Sequence, residues 1–249
     1  MSHRGGALLP ANLGIENTAA AFRNAVALGF THLETDVHAS RDGALLAIHD
    51  GELSRVADRP GRVDRSTMAE LARARVGGRE PIPLLADLLE EFPECRFNID
   101  LKADAAVDPL VAVLQRHGAQ RRVCVGSFSE PRIRRFRRLM PDVTTAAAPS
   151  AVALLAAGVV TRHRTSAPPT VFQVPTAHRA GRVRVPLVTP RSIRAVHAAG
   201  RAVHVWTIDS ADLMHTLIGW GVDGIVTDRP DVLKAVLLER GMWSTRDGT

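Results

Sequence analysis

Charged side chains at two-residue spacing are the first sign of chemistry in this sequence: Glu34 with Asp36, and Asp100 with Lys102. Residues two apart in a strand point to the same face, so each pair would present its charges together. Arg96 to Lys102 divides completely, with Arg96, Asn98, Asp100 and Lys102 on one side and Phe97, Ile99 and Leu101 on the other. An antiparallel strand with one wet face has the same pattern. In a parallel barrel the apolar side meets helices and the polar side points inward. Three carboxylates gathered there repel one another unless a cation sits among them. Oxygen-only ligation selects a hard divalent ion, Mg2+ or Ca2+, over zinc.

Two histidines add proton chemistry. His3-Arg4-Gly5 opens the chain, and His49-Asp50 follows the apolar run Leu45 to Ile48. A lone histidine is more often structural than catalytic. Two of them near a carboxylate cluster suit general acid and general base work, because imidazole titrates near neutral pH. Arg4 and Lys102 supply positive charge that suits a phosphate. Lys102 stands out because the chain has 32 basic residues and only two lysines, Lys102 and Lys234.

These residues need a scaffold, and the hydrophobic periodicity supplies one. Strand-like runs fall at Thr31 to Val37, Leu45 to His49, Arg96 to Lys102, Arg122 to Phe128, Thr170 to Val174, Arg201 to Ile208 and Val222 to Thr227. Helical patterns lie between them, at Thr18 to Leu28, Leu84 to Glu91, Asp108 to Arg116, Glu130 to Leu139, Pro190 to Ala199, Ala211 to Ile218 and Pro230 to Leu238. Thr189-Pro190 and Gly200 punctuate one helix, Ser210 and Gly219 the next. Alternating strands and helices imply a parallel sheet. About eight such units favour a closed (β/α)8 barrel, whose active sites collect at the C-terminal ends of the strands, where the charged pairs fall. Asp50 to Pro83 is charged and rich in Gly and Pro and reads as an insertion. Thr161 to Pro169 reads as a loop. No domain boundary is evident, so residues 1–249 are expected to form one barrel domain with an insertion at about 50–83.

Composition excludes several other classes. At 45% hydrophobic the chain is too apolar for disorder. Its longest apolar stretch, Ala146 to Val160, is broken by Pro149, Ser150 and Gly158 and is too short for a membrane span. Met1 to Gly14 has no secretory h-region. Cys95 and Cys124 fit neither a zinc nor a redox spacing. A cytoplasmic protein with no integral membrane association is expected. The net charge of +6 raises nucleic acid as a partner. The arginines are spread along the chain, and their densest run, Arg132 to Arg138, leaves Ile133 and Phe136 as the apolar stripe of an ordinary surface helix. No nucleic-acid partner is expected, and the sequence leaves the oligomeric state open.

Taken in order, His3-Arg4-Gly5, Glu16-Asn17-Thr18, Glu34-x-Asp36-Val37, Asp42-Gly43, His49-Asp50, Asp100-x-Lys102, Trp206-Thr207 and Asp223 to Pro230 resemble the motifs of the glycerophosphodiester phosphodiesterases, over residues 3 to about 236. The resemblance implies a (β/α)8 TIM barrel, with a small insertion after strand 2, that hydrolyses glycerophosphodiesters to glycerol 3-phosphate and an alcohol. It implies His3 and His49 as the acid and base pair, with Glu34, Asp36 and Asp100 as ligands of the divalent cation. Arg4 and Lys102 become phosphate contacts, Glu16 lies near the substrate, and Trp206 walls the pocket. The insertion is implied to help cover the glycerol end.

Two departures from the family pattern shape the expectations. The third acidic position is usually Glu, and Asp100 is one methylene shorter. Asp followed by Lys two residues on also resembles the sphingomyelinases D of spider toxins, which lack the insertion. A lysophospholipase D or sphingomyelinase D-like activity on lipid phosphodiesters is therefore the second enzymatic reading, and a barrel that binds phosphodiesters without turnover is the third. Family members also carry an apolar strand before His-Arg-Gly, whereas only Met1 and Ser2 precede His3 here. The first strand is expected to be truncated or very short, leaving an open barrel edge and a poorly held His3, with the true start upstream.

Overall fold

The computed structural model describes residues 1–160, 171–181 and 183–243. The loop expected at Thr161 to Pro169, and Thr170 at the head of an expected strand, lie outside the described residues. Eight short strands form the barrel: β1 (Ser2–His3), β2 (His32–Ala39), β3 (Arg96–Leu101), β4 (Val123–Gly126), β5 (Thr144–Thr145), β6 (Phe172–Val174), β7 (Val203–Val205) and β8 (Gly224–Ile225). Each is followed by a helix: α1 (Ala19–Ala27), α2 (Leu85–Glu91), α3 (Val107–Arg116), α4 (Glu130–Leu139), α5 (Pro149–Ala156), α6 (Pro190–Ala198), α7 (Ala211–Trp220) and α8 (Pro230–Glu239). Neighbouring strands are parallel throughout, with a bridge from Ala146 to Val171 joining β5 to β6 and one from Ser2 to Thr227 joining β1 to the end of β8.

That last contact corrects the expectation of an open edge. The Met1 amine donates to the Ile225 carbonyl at 2.7 Å, the Thr227 amide to the Met1 carbonyl at 3.1 Å, and the His3 amide to the Thr227 carbonyl at 2.9 Å. On the other side the Arg4 amide donates to the Glu34 carbonyl. Because β8 is itself only two residues long, two residues of β1 meet the rungs on both flanks. His3 is paired on both flanks, with 16% of its side chain exposed.

The strands alternate as their sequences require. In β2, Leu33, Thr35 and Val37 are buried among the helices; in β3, Phe97, Ile99 and Leu101 do the same. Their polar neighbours point inward, and the register sets Glu34 beside Asn98 and Asp36 beside Asp100. His3 stands beside Glu34, and Asp100 beside Gly126. The interior is thus stacked in layers of side chains from adjacent strands, as a barrel core should be.

Other expectations need adjusting. Leu45–Ala47 is not a parallel barrel strand; it pairs antiparallel with the end of β2 and begins the insertion. The insertion then has its own small core of Leu46, Ile48, Leu53, Val63, Leu71 and Val76. A two-residue β5 and the helix α5 went unread, because Thr144-Thr145 is too short to show a period and α5 is apolar on every face. Thr189 caps α6 as expected, but α7 runs through Gly219 to Trp220. Gly221, at φ 88°, takes the left-handed position there, which Gly219 inside the helix does not.

Candidate active site

The carboxylates lie at the C-terminal end of the barrel, in a cavity of about 610 Å3. His3, Arg4, Glu34, Asp36, His49 and Asp100 line it, together with Lys102 and Trp206. Of the residues singled out from sequence, only Glu16 stays off its wall. It accepts instead from Arg4 Nη1 at 3.1 Å. No residue between Asp50 and Pro83 lines the cavity itself, and the insertion reaches the site through Arg55.

Each histidine is held by a carboxylate through Nδ1. His3 Nδ1 lies 2.7 Å from Asp228 Oδ1, and His49 Nδ1 lies 2.6 Å from Asp50 Oδ1. This arrangement leaves each Nε2 free for proton transfer, and that of His3 sits 3.7 Å from Glu34 Oε2. Burial works against the charged form of His3, yet Glu34 and Asp228 together raise its pKa above the ordinary value. Neither Asp228 nor Asp50 was singled out for this role. Both sit inside the motifs, and an acid beside a histidine in sequence was the available signal for Asp50.

The acids are arranged around cations of the chain itself. Lys102 Nζ lies 2.9 Å from Asp36 Oδ1 and 2.7 Å from Asp100 Oδ2. Arg4 Nε lies 3.2 Å from Asp36 Oδ2, a charge contact without hydrogen-bond geometry. Asn17, held at φ 61°, donates to the same Asp36 oxygen and accepts from Thr35. Burial would raise Asp36, but Lys102 and Arg4 outweigh it and its pKa is lowered. Glu34 fares differently. Burial, reinforced by the neighbouring Asp36, pushes it up to about 8.

Among the described residues, no three His, Cys, Asp or Glu side chains are grouped closely enough to hold an ion as they stand. The expectation that a metal must separate the acids is therefore modified: Lys102 already stands between two of them. The donor chemistry still fits a hard cation. Asp100 Oδ1 is buried without a hydrogen-bond partner, and burial disfavours the charge of Glu34 even though the Arg4 amide donates to it at 3.1 Å and His3 lies nearby.

Arg55 links the two histidine arms and was not anticipated. It donates to both Glu16 oxygens, at 3.1 and 2.6 Å, and to Asp50, the acid that holds His49. Glu16 in turn holds Arg4. At the opposite wall Phe128 packs edge-on against Trp206, with ring centroids 5.7 Å apart, and Lys102 Nζ lies 5.4 Å from the Phe128 centroid.

Comparison with known proteins gives the family and the fold. Residues 3–232 match the Glycerophosphoryl diester phosphodiesterase family. The chain is 42% identical over 229 residues to a protein of Mycobacterium tuberculosis named "Probable glycerophosphodiester phosphodiesterase 2", covering 91% of this chain and 87% of that one. A glycerophosphodiester phosphodiesterase of Agrobacterium tumefaciens superposes with a TM-score of 0.75 at 24% identity, covering 94% of this chain and 97% of its own. A phosphodiesterase of Oleispira antarctica, solved in complex with the product sn-glycerol-3-phosphate, superposes at 0.76 with 22% identity and 95% coverage of each chain.

Proposed function

The chain belongs to the glycerophosphoryl diester phosphodiesterase family, and from that premise we propose how its own residues hydrolyse a glycerophosphodiester to glycerol 3-phosphate and an alcohol. The observation that supports the reading most is the pair of carboxylate-held histidines facing one cavity with Arg4 and Lys102. Arg4 and Lys102 bind the phosphate oxygens, where their positive charge is worth most as negative charge builds up in the transition state. One histidine removes the proton from the attacking oxygen, supplied by water or by the substrate's own glycerol hydroxyl. The phosphorus–oxygen bond to the alcohol breaks, and the other histidine gives its proton to the departing alkoxide. If the glycerol hydroxyl attacks first, water opens the resulting cyclic phosphate by the same exchange of protons. Asp228 and Asp50 accept from Nδ1 of the two rings and so keep each Nε2 toward the substrate, bare in the base and carrying the transferable proton of an imidazolium in the acid. Trp206 and Phe128 close the side of the cavity.

Glu34, Asp36 and Asp100 would hold a divalent cation, Mg2+ or Ca2+. Such an ion, when bound, polarises the phosphoryl oxygens and neutralises their charge. The reading makes the substrate a small molecule and puts the reaction in the cytoplasm, where thiols stay reduced. The test for the ion is removal and return. Treatment with EDTA should lower glycerol 3-phosphate release from glycerophosphocholine by at least tenfold, and Mg2+ or Ca2+ should restore it. Full activity after exhaustive chelation would assign the electrostatic role to Arg4 and Lys102 alone.

A further inference from the structure

We propose that the far side of this cavity is a hydrocarbon subsite, and that the preferred substrates are glycerophosphodiesters whose alcohol carries an alkyl or acyl chain. The inference rests on the hydrolytic reading above and names the leaving alcohol of that same reaction.

The cavity is divided by polarity. Its acids, Glu34, Asp36 and Asp100, all stand at the reacting end, with Arg4 and Lys102 among them. Glycerol, with its free hydroxyls, finds hydrogen-bond partners there. The opposite wall is helix α5. Pro149, Val152, Ala153 and Ala156 fall at i, i+3, i+4 and i+7 and turn one helix face to the cavity, with Leu187 also on its wall.

Helix α5 is anomalous for a barrel exterior. It is the one helix of the eight described that carries no charged residue, and of its eight residues only Leu155 is buried. Leu154 is 43% exposed, and Val159 just beyond the helix is 47% exposed. A helix apolar on every face is normally buried on every face. The small side chains of Ala153 and Ala156 leave room beside it, which bulkier residues at those positions would fill.

A short cationic alcohol such as choline is poorly matched to this side. No carboxylate lines it, and the Phe128 ring that could receive a cation already has the Lys102 ammonium beside it. Of the polar side chains on the wall besides His178, Gln173 donates to Asn98 Oδ1 at 2.7 Å and Ser127 to the Leu101 carbonyl at 2.8 Å. An uncharged hydrocarbon needs none of these partners. Attached to the alcohol oxygen, it would run from the phosphate past Trp206 along α5.

The test is a series of sn-glycero-3-phospho-n-alkanols with alcohols of two to twelve carbons, kept below micellar concentrations and assayed for release of glycerol 3-phosphate. The expected result is a kcat/KM that rises by roughly fourfold per methylene over the first few carbons and then levels off. Val152→Asp should reduce the eight-carbon to two-carbon ratio of kcat/KM at least tenfold. Ala156→Leu, a milder change that narrows the groove, should move the optimum to shorter alcohols. A flat profile with the two-carbon ester still hydrolysed would overturn the subsite while leaving the hydrolytic reading intact. Faster turnover of lysophosphatidylcholine, whose chain is on the glycerol side, would place the hydrocarbon at the other end and overturn it too. Hydrolysis of none of these esters would overturn the hydrolytic reading and the subsite with it.

Discussion

In the proposed mechanism, proton transfer depends on acids that do not themselves exchange protons with the substrate. Asp228 and Asp50 fix the two imidazoles, and Arg55 fixes Asp50 while also holding Glu16. Displacing a reacting group by about 1 Å can cost on the order of a hundredfold in rate. Arg55→Met should therefore lower kcat by at least tenfold with a smaller change in KM, and Arg55→Lys should recover part of the loss by restoring one of the two charge contacts. Steady-state kinetics on glycerophosphocholine would check this, and an unchanged kcat in Arg55→Met would remove Arg55 from the site. That Glu34 and Asp36, and Asp100 and Lys102, share a face was legible from spacing, because a strand's two-residue period fixes which side chains lie together, while the histidines stood out by their place beside Arg4-Gly5 and Asp50. Arg55 was not legible. It reaches the site from the insertion across 39 residues of chain to Glu16, and no local period reports such a contact.

The elements are short, and their ends do the positioning. Strand β1 has two residues, and its motif is completed by Gly5, where the chain turns at φ 85° to bring Arg4 over the carboxylates. A Cβ at Gly5 would stand 2.7 Å from Ala21 Cβ and 2.8 Å from the Ala21 carbonyl carbon, which is backbone of α1 and cannot swing aside. Gly5→Ala should destabilise the fold by about 2–4 kcal/mol, from the strained φ and the overlap together. Urea denaturation monitored by circular dichroism would measure it, and an unchanged midpoint would refute the close approach. The long strands β2 and β3 could be read directly, since their alternation runs for six residues or more. The pair Thr144-Thr145 offered no period to read, and the N-terminal strand looked too short because only Met1 and Ser2 precede His3, whereas its pairing to Thr227 and Glu34 comes from parts of the chain distant in sequence.

At the scale of the whole molecule, the barrel interior changes character from top to bottom. The upper layers carry the charged site, while lower down His204 stands between Gln173 of β6 and Gly224 of β8. Burial lowers the pKa of His204 to about 4. Its neutral form is favoured by folding, so its contribution to stability is complete above the unfolded value near 6.5 and is lost as pH falls from there to about 4. The loss amounts to about 3 kcal/mol, since each pKa unit is worth about 1.4 kcal/mol. Chemical denaturation between pH 7 and pH 4 should show that decline in the native chain and a shallower one in His204→Gln. Equal slopes in the two proteins would count against a neutral buried imidazole. The barrel class was legible from the alternation of strands and helices, which matched six of the eight strands and seven of the eight helices. The division of the cavity into a charged end and an apolar end was not, because it arises only when α5 is brought across from the carboxylates of β2 and β3.

The central claim is that two carboxylate-held histidines in this cavity perform the hydrolysis, and single-residue replacement tests it most directly. Glycerol 3-phosphate release from glycerophosphocholine should be measured for the native chain, His3→Ala and His49→Ala, with circular dichroism to establish that each variant is folded. The native chain should turn the substrate over, and each folded variant should lose on the order of a hundredfold or more in kcat. A folded His49→Ala protein that retained the native rate would contradict the account.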